Sequence, residues 1–209
     1  MRYIISVIVA SFLLVSCSNE RLANPSQYVN PFIGASTNTG LAGTYHGMGK
    51  TFPGATTPYG MVQVSPQTIT GGDNSSGYSY EHKTIEGFAF TQMSGVGWYG
   101  DLGNFLTMPT TGKLQLIAGR EDGSMQGYRS LYDKSSEEAS AGYYCATLTD
   151  YNIKAEATAA SHSGILRFTY PANSQSRIQI DLARRVGGTS TTQYIQVCLL
   201  YTSPSPRDR

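Results

Sequence analysis

Apolar and polar residues alternate with a period of two along most of this chain. In Tyr59–Ser65, Val62 and Val64 fall on one face. Leu114 and Leu116 alternate with Lys113 and Gln115 between Gly112 and Ile117. From Ile153 to Ala159, Ile153, Ala155, Ala157 and Ala159 oppose Lys154, Glu156 and Thr158. Leu166, Phe168 and Tyr170 oppose Arg167 and Thr169, and Ile178, Ile180 and Leu182 oppose Arg177, Gln179 and Asp181. Successive side chains of a strand point to opposite faces, so each segment reads as a half-buried strand with its apolar set inward. A further strand is expected over Gly87–Gln92. Turn residues separate these segments: Pro53-Gly54, Gly71-Gly72-Asp73-Asn74, Gly119 to Gly123, Ser161 to Gly164 and Pro171 to Ser174. One helical turn is expected over Ser135–Ala141, where Ser135 and Glu138 have capping-box spacing. No long 3.6-residue period exists. The pattern predicts an all-β protein, an antiparallel β-sandwich of one domain over residues 27–197.

The first residues follow another rule. Arg2 precedes an apolar run, Tyr3 to Val15, that ends in Leu14-Val15-Ser16-Cys17. The run is shorter than the roughly 20 residues of a membrane-spanning helix and fits a signal-peptide core. The ending resembles a bacterial lipobox. The expectation is a signal peptide over 1–16, lipidation of Cys17, a polar tether over 17–26, and attachment to a membrane through the lipid anchor. An ordinary cleaved signal with an incidental Cys17 is the alternative.

Composition narrows the partners. Fifteen basic and fourteen acidic residues nearly cancel, and no run of like charge appears. A nucleic-acid partner needs a basic face, and none is legible. Three cysteines, Cys17, Cys145 and Cys198, do not make a disulfide framework. His46, His82 and His162 are scattered, without metal-ligand spacing. Fifteen tyrosines suit both an all-β core and a carbohydrate-binding surface.

The chemistry concentrates in Met93–Gly112, which holds the only tryptophan, Trp98, among Ser94, Gly95, Gly97 and Gly100, with Asp101 three residues on. Glycine is costly to order, so a dense cluster marks turns or close backbone approach. An indole on such a loop suits the apolar face of a sugar ring, and the carboxylate suits its hydroxyls. The competing reading folds Trp98 into the core.

An ordered series of motifs then resembles a known family. It runs from Tyr28-Val29-Asn30-Pro31-Phe32-Ile33-Gly34 through Phe52-Pro53-Gly54-Ala55, Pro58 to Gln63 and Ser65-Pro66. Ser76-Gly77-Tyr78, Ile85-Glu86-Gly87-Phe88, Ser94 to Gly103 and Met108-Pro109 follow. Glu137-Glu138-Ala139, Gly142-Tyr143-Tyr144, Asp181-Leu182 and Arg185 to Ser190 complete it. In this order and spacing they resemble the N-terminal half of glycoside hydrolase family 92, exo-acting α-mannosidases frequent among gut Bacteroidetes.

The resemblance implies a galactose-mutarotase-like β-sandwich packed on a C-terminal (α/α)6 barrel. It implies hydrolysis of mannose-containing glycans with inversion, and a calcium ion whose ligands lie outside this chain. The acid and base would belong mainly to the barrel, leaving this part to supply sugar contacts through Ser94, Gly95, Gly97, Trp98 and Asp101. Trp98 stands where many members carry cysteine, and the Trp form implies α-1,2-linked mannose. Asp73, Glu81, Glu86 and Asp101 are available carboxylates, but no spacing marks a catalytic pair. The chain reads as C-terminally truncated, and residues 198–209 read as a non-native tail. The alternatives are a free-standing glycan-binding lipoprotein without catalysis and a ligand-free structural one.

Overall fold

A computed structural model describes residues 24–36, 50–70, 76–94 and 102–196. The lipobox with Cys17, the glycine turn 71–74 with Asp73, and residues 198–209 lie outside this set. So do Gly95, Gly97, Trp98 and Asp101.

Twelve strands are described: β1 (Ala55–Thr56), β2 (Gln63–Gln67), β3 (Thr84–Ile85), β4 (Gly87–Ala89), β5 (Leu106–Thr110), β6 (Ser130–Ser140), β7 (Tyr143–Leu148), β8 (Ile153–Ala159), β9 (Gly164–Thr169), β10 (Arg177–Asp181), β11 (Arg184–Arg185) and β12 (Gly188–Thr189). They form two five-stranded sheets, β1-β2-β4-β5-β10 and β3-β6-β7-β8-β9, with β11-β12 as a separate hairpin. All strand pairs are antiparallel. The fold is the antiparallel β-sandwich that the alternation predicts.

The apolar sets of the two sheets meet in one core of Val64, Ile85, Phe88, Met108, Tyr144, Leu148, Ile153 and Ala155. Phe88 packs its ring 6.4 Å from Tyr144 and 5.9 Å from Phe168. Each large apolar side chain buried here contributes about 1.5–3 kcal/mol. Val62, Leu166 and Tyr170 pack on the core from their expected faces.

Four expectations are corrected. Gly112–Ile117 is not a strand, although it alternates. The outer edge of β5 is already taken by β10, which pairs Arg177 to Asp181 with Thr110 to Leu106. Gly112, at φ +74°, turns the chain away, and Leu116 is left exposed. The helical turn at Ser135–Ala141 is part of β6. Between the pairs Asp133–Thr147 and Glu138–Cys145, β6 advances five residues against two on β7, which makes a wide bulge. Asp133, not Ser135, caps it, accepting from the Ser135 N–H at 2.8 Å.

On β10 the alternation is right and the direction is reversed. Ile178 and Ile180 are 57% and 54% exposed, while Arg177, Gln179 and Asp181 turn inward. Gln179 is held there by Thr110 and by the Gln115 carbonyl, each at 2.8 Å, and Asp181 by Tyr128 at 2.6 Å. Glu156, expected outside, is buried. Arg167 donates to both its oxygens at 2.7 Å, and Tyr143 donates to one at 2.7 Å. Those hydrogen bonds, Arg167 first, hold its carboxyl down to about 2.

Candidate functional site

The Met93–Gly112 stretch leaves the first sheet just after β4. Phe90 O accepts from the Gln63 N–H and Gln92 N–H donates to Gln63 O, so the chain is still tied to β2 there. Ser94 follows in an exposed turn. On the return side Gly103 N–H donates to Thr91 Oγ1 at 3.2 Å, and Leu102 O accepts from Val186 N–H at 2.7 Å. Gly103 has φ +82°, and a Cβ there would lie 2.6 Å from Gln67 Oε1 and 2.9 Å from Val186 Cγ2. Only glycine satisfies both conditions. The chain on the two sides of residues 95–101 is therefore tied together at Thr91 and Gly103 beside β2, with the β11-β12 hairpin next to Leu102. The chain re-enters the sheet at Leu106, earlier than the sequence pattern predicts.

A buried polar layer lies under this neck. Gln92 Nε2 reaches Gln67 Oε1 at 3.4 Å, and Gln92 Oε1 has no partner among the described residues. Glu86, 2% exposed, forms an ion pair with Arg129, accepts from Thr70, and has Arg184 at 3.7 Å. Glu86 is thus a structural carboxylate that neutralises buried guanidinium charge. Glu81, the other described candidate acid, accepts from Ser79 at 2.7 Å and from Ser36.

The segment Ser76–His82 links the neck to a second cluster. Gly77 abuts Gln67, Gln92 and Val186, and the next residue, Tyr78, donates to Glu137 Oε1 at 2.8 Å. Tyr144 donates to the same oxygen at 2.8 Å, and Lys134 donates to Glu137 Oε2 at 3.0 Å. The Lys134 ammonium lies 4.4, 4.6 and 5.4 Å from the ring centroids of Tyr80, Tyr132 and Tyr78. Burial lowers the Lys134 ammonium from its ordinary value, and Glu137 opposes the shift. Burial first, and the charge of Glu137 next, push the Tyr78 and Tyr144 hydroxyls well up, so both stay donors. The β6 bulge produces this arrangement by turning Lys134 and Glu137 to the same side.

A cavity of about 320 Å³ opens on the cluster, lined by Asn30, Phe32, Ser36, Tyr80, Lys134 and Glu137. Lys134 and the tyrosine cage were not among the site residues expected from sequence. The available signal was a lysine at the inward parity of Ser130 and Tyr132. Of the expected site residues, the structure describes Ser94 alone, and it lies on the neck rather than in this cavity.

The sequence matches the glycosyl hydrolase family 92 N-terminal domain over residues 28–200. The chain belongs to this family. Among solved structures, this family 92 domain is 41% identical to a family 92 α-mannosidase of Bacteroides thetaiotaomicron, with a TM-score of 0.70, over 78% of this chain and 21% of that one. A family 92 inverting mannosidase of the same organism is 25% identical, with a TM-score of 0.58, over 75% of this chain and 19% of that one. An uncharacterised secreted glycosidase of Arthroderma benhamiae is 31% identical over 137 residues, 64% of this chain and 17% of the relative. The chain thus spans about a fifth of the length of these relatives. For calcium, no group of three or more His, Cys, Asp or Glu side chains that could hold a metal occurs among the described residues.

Proposed function

We propose that this chain is the carbohydrate-binding N-terminal part of an exo-acting α-mannosidase that cleaves α-1,2-linked mannose with inversion. Family membership carries the reading, supported by 41% identity to a protein described as an α-mannosidase. Inversion needs two carboxyl groups about 6.5–9.5 Å apart. Glu86 is committed to Arg129 and Glu81 to Ser36 and Ser79. The acid and base are accordingly assigned to neither of these two residues, and are placed in the barrel that the family resemblance implies.

This part supplies sugar contacts. Trp98 stacks on a mannose unit, Asp101 accepts from a sugar hydroxyl, and Ser94, Gly95 and Gly97 let the backbone come close. The pinned neck supports the assignment, because a contact loop is useful only if its ends are fixed. Stacking an indole on a sugar face buries roughly 50–80 Å², worth about 1–2 kcal/mol at ~25 cal/mol/Å². In a full-length family 92 enzyme carrying this domain, Trp98→Ala should leave Tm nearly unchanged. It should lower kcat/KM on an α-1,2-mannobiose by about tenfold, as ~1.4 kcal/mol requires. A variant that unfolds, or one that cleaves normally, removes the stacking role. Export with a lipid anchor at Cys17 completes the proposal, placing the protein at a bacterial membrane.

A further inference from the structure

The cavity in front of Lys134 and Glu137 has unused hydrogen-bonding capacity of one particular kind. Glu137 is 2% exposed, and Lys134 is one-third exposed toward solvent. Glu137 Oε1 takes both its bonds from Tyr78 and Tyr144, and Oε2 takes one from Lys134 at 3.0 Å. A carboxylate has about four acceptor sites, so one remains on Oε2. The Lys134 ammonium has three donors. Among the described residues it donates to Glu137 and, at 3.2 Å, to Tyr78, which leaves one. An adjacent free donor and free acceptor match a hydroxyl group, which can accept from the lysine and donate to the carboxylate. The Lys134 and Glu137 charges offset each other, and Glu81, bonded to Ser36 at the cavity wall, adds a carboxylate that acts on Lys134, so the cavity disfavours an anion.

The rest of the wall fits the same chemistry. Phe32 and Tyr80 stand edge to face, with centroids 5.9 Å apart, and give the cavity an apolar side. Asn30, whose Oδ1 accepts from the Phe32 N–H at 3.0 Å, brings an amide to its rim. The volume, about 320 Å³, is at the small end for small-molecule sites, which run from about 300 to 1,000 Å³. Tyr78, Tyr80 and Tyr132 cage the ammonium, and cation–π attraction adds to the ion pair in fixing it. The polar groups are thereby set before any ligand arrives.

We infer that this cavity is a binding site for a single uncharged sugar ring, with one ring hydroxyl held between Lys134 and Glu137 and the apolar ring face against Tyr80 and Phe32. It is separate from the contacts assigned to Trp98. The proposal draws on the mannosidase reading only for the choice of probe.

The test uses the 209-residue chain and methyl α-D-mannopyranoside, followed by saturation-transfer NMR and by calorimetry. Binding in the millimolar range is expected. Tyr80→Ala and Asn30→Ala, both at exposed positions, should weaken it at least tenfold while the chain stays folded by circular dichroism. Lys134→Met should abolish it, and Lys134→Arg should restore part. Trp98→Ala should leave it unchanged. Absence of binding to the unaltered chain overturns the inference, as does binding that survives both Tyr80→Ala and Asn30→Ala. Binding lost only in Trp98→Ala also overturns it, while leaving the mannosidase reading intact. A full-length enzyme that fails to cleave mannosides, with this cavity still binding the probe, refutes that reading alone.

Discussion

The orientation of β10 gives a test in which structure and sequence pattern predict opposite orders of effect. The substitutions are Gln179→Val on one face and Ile178→Thr and Ile180→Thr on the other, all keeping or adding β-branching so that strand propensity is preserved. Gln179→Val removes the 2.8 Å bonds to Thr110 and to the Gln115 carbonyl. Each bond is worth about 0.5–1.5 kcal/mol net, and Thr110, only 2% exposed, loses its acceptor. The expected loss is about 1–3 kcal/mol. At roughly 2–4 °C per kcal/mol for a domain of this size, Tm should fall by about 2–12 °C. Ile178 and Ile180 are more than half exposed, so each Thr substitution should stay within about 0.5 kcal/mol, or ~2 °C. Urea unfolding and calorimetry of the chain read both. Were the isoleucines inward, their truncation with a hydroxyl added would cost about 2 kcal/mol or more. Finding the two Ile variants less stable than Gln179→Val would refute the assigned face of β10, and with it the register of the first sheet's edge.

Three other outcomes are expected. Arg129→Met leaves Glu86 buried with the Thr70 hydroxyl and the 3.7 Å contact to Arg184, and should destabilise by about 3–5 kcal/mol in urea unfolding; a loss under about 1 kcal/mol would refute the buried Arg129–Glu86 pair. Glu156 has a folded carboxyl value of about 2 against an ordinary 4.5, so its stabilisation is complete above about pH 4.5 and is lost as pH falls through about 2. Glu156→Gln should flatten the Tm–pH profile in that window, and an unaltered profile would contradict the Arg167 pairing. In a bacterial host, Cys17→Ala should release the protein from the membrane fraction or block its maturation; unchanged partitioning would remove the anchor.

What the sequence determined alone was the class of the fold and its family. Period-two alternation is a local property, because adjacent strand residues must face opposite ways whatever they pack against. It therefore located β8, β9 and β10 within a residue or so. The ordered motifs were equally legible, since a family is written in residue identities rather than in coordinates. Tertiary structure decided which face of an alternating segment is buried, and whether it pairs at all. Gly112–Ile117 alternates as well as β10 does, yet the edge of β5 has room for one partner, and Arg177–Asp181 occupies it. On that strand the inward face went to the residues whose partners, Thr110, Gln115 and Tyr128, come from other parts of the chain. The cluster at Lys134 is the same case in chemical form. Tyr78, Lys134, Glu137 and Tyr144 are spread over some 66 residues, and a β6 bulge that local propensity reads as a helical turn brings them to hydrogen-bonding distance. Long-range pairing sets such geometry, and no local pattern encodes it.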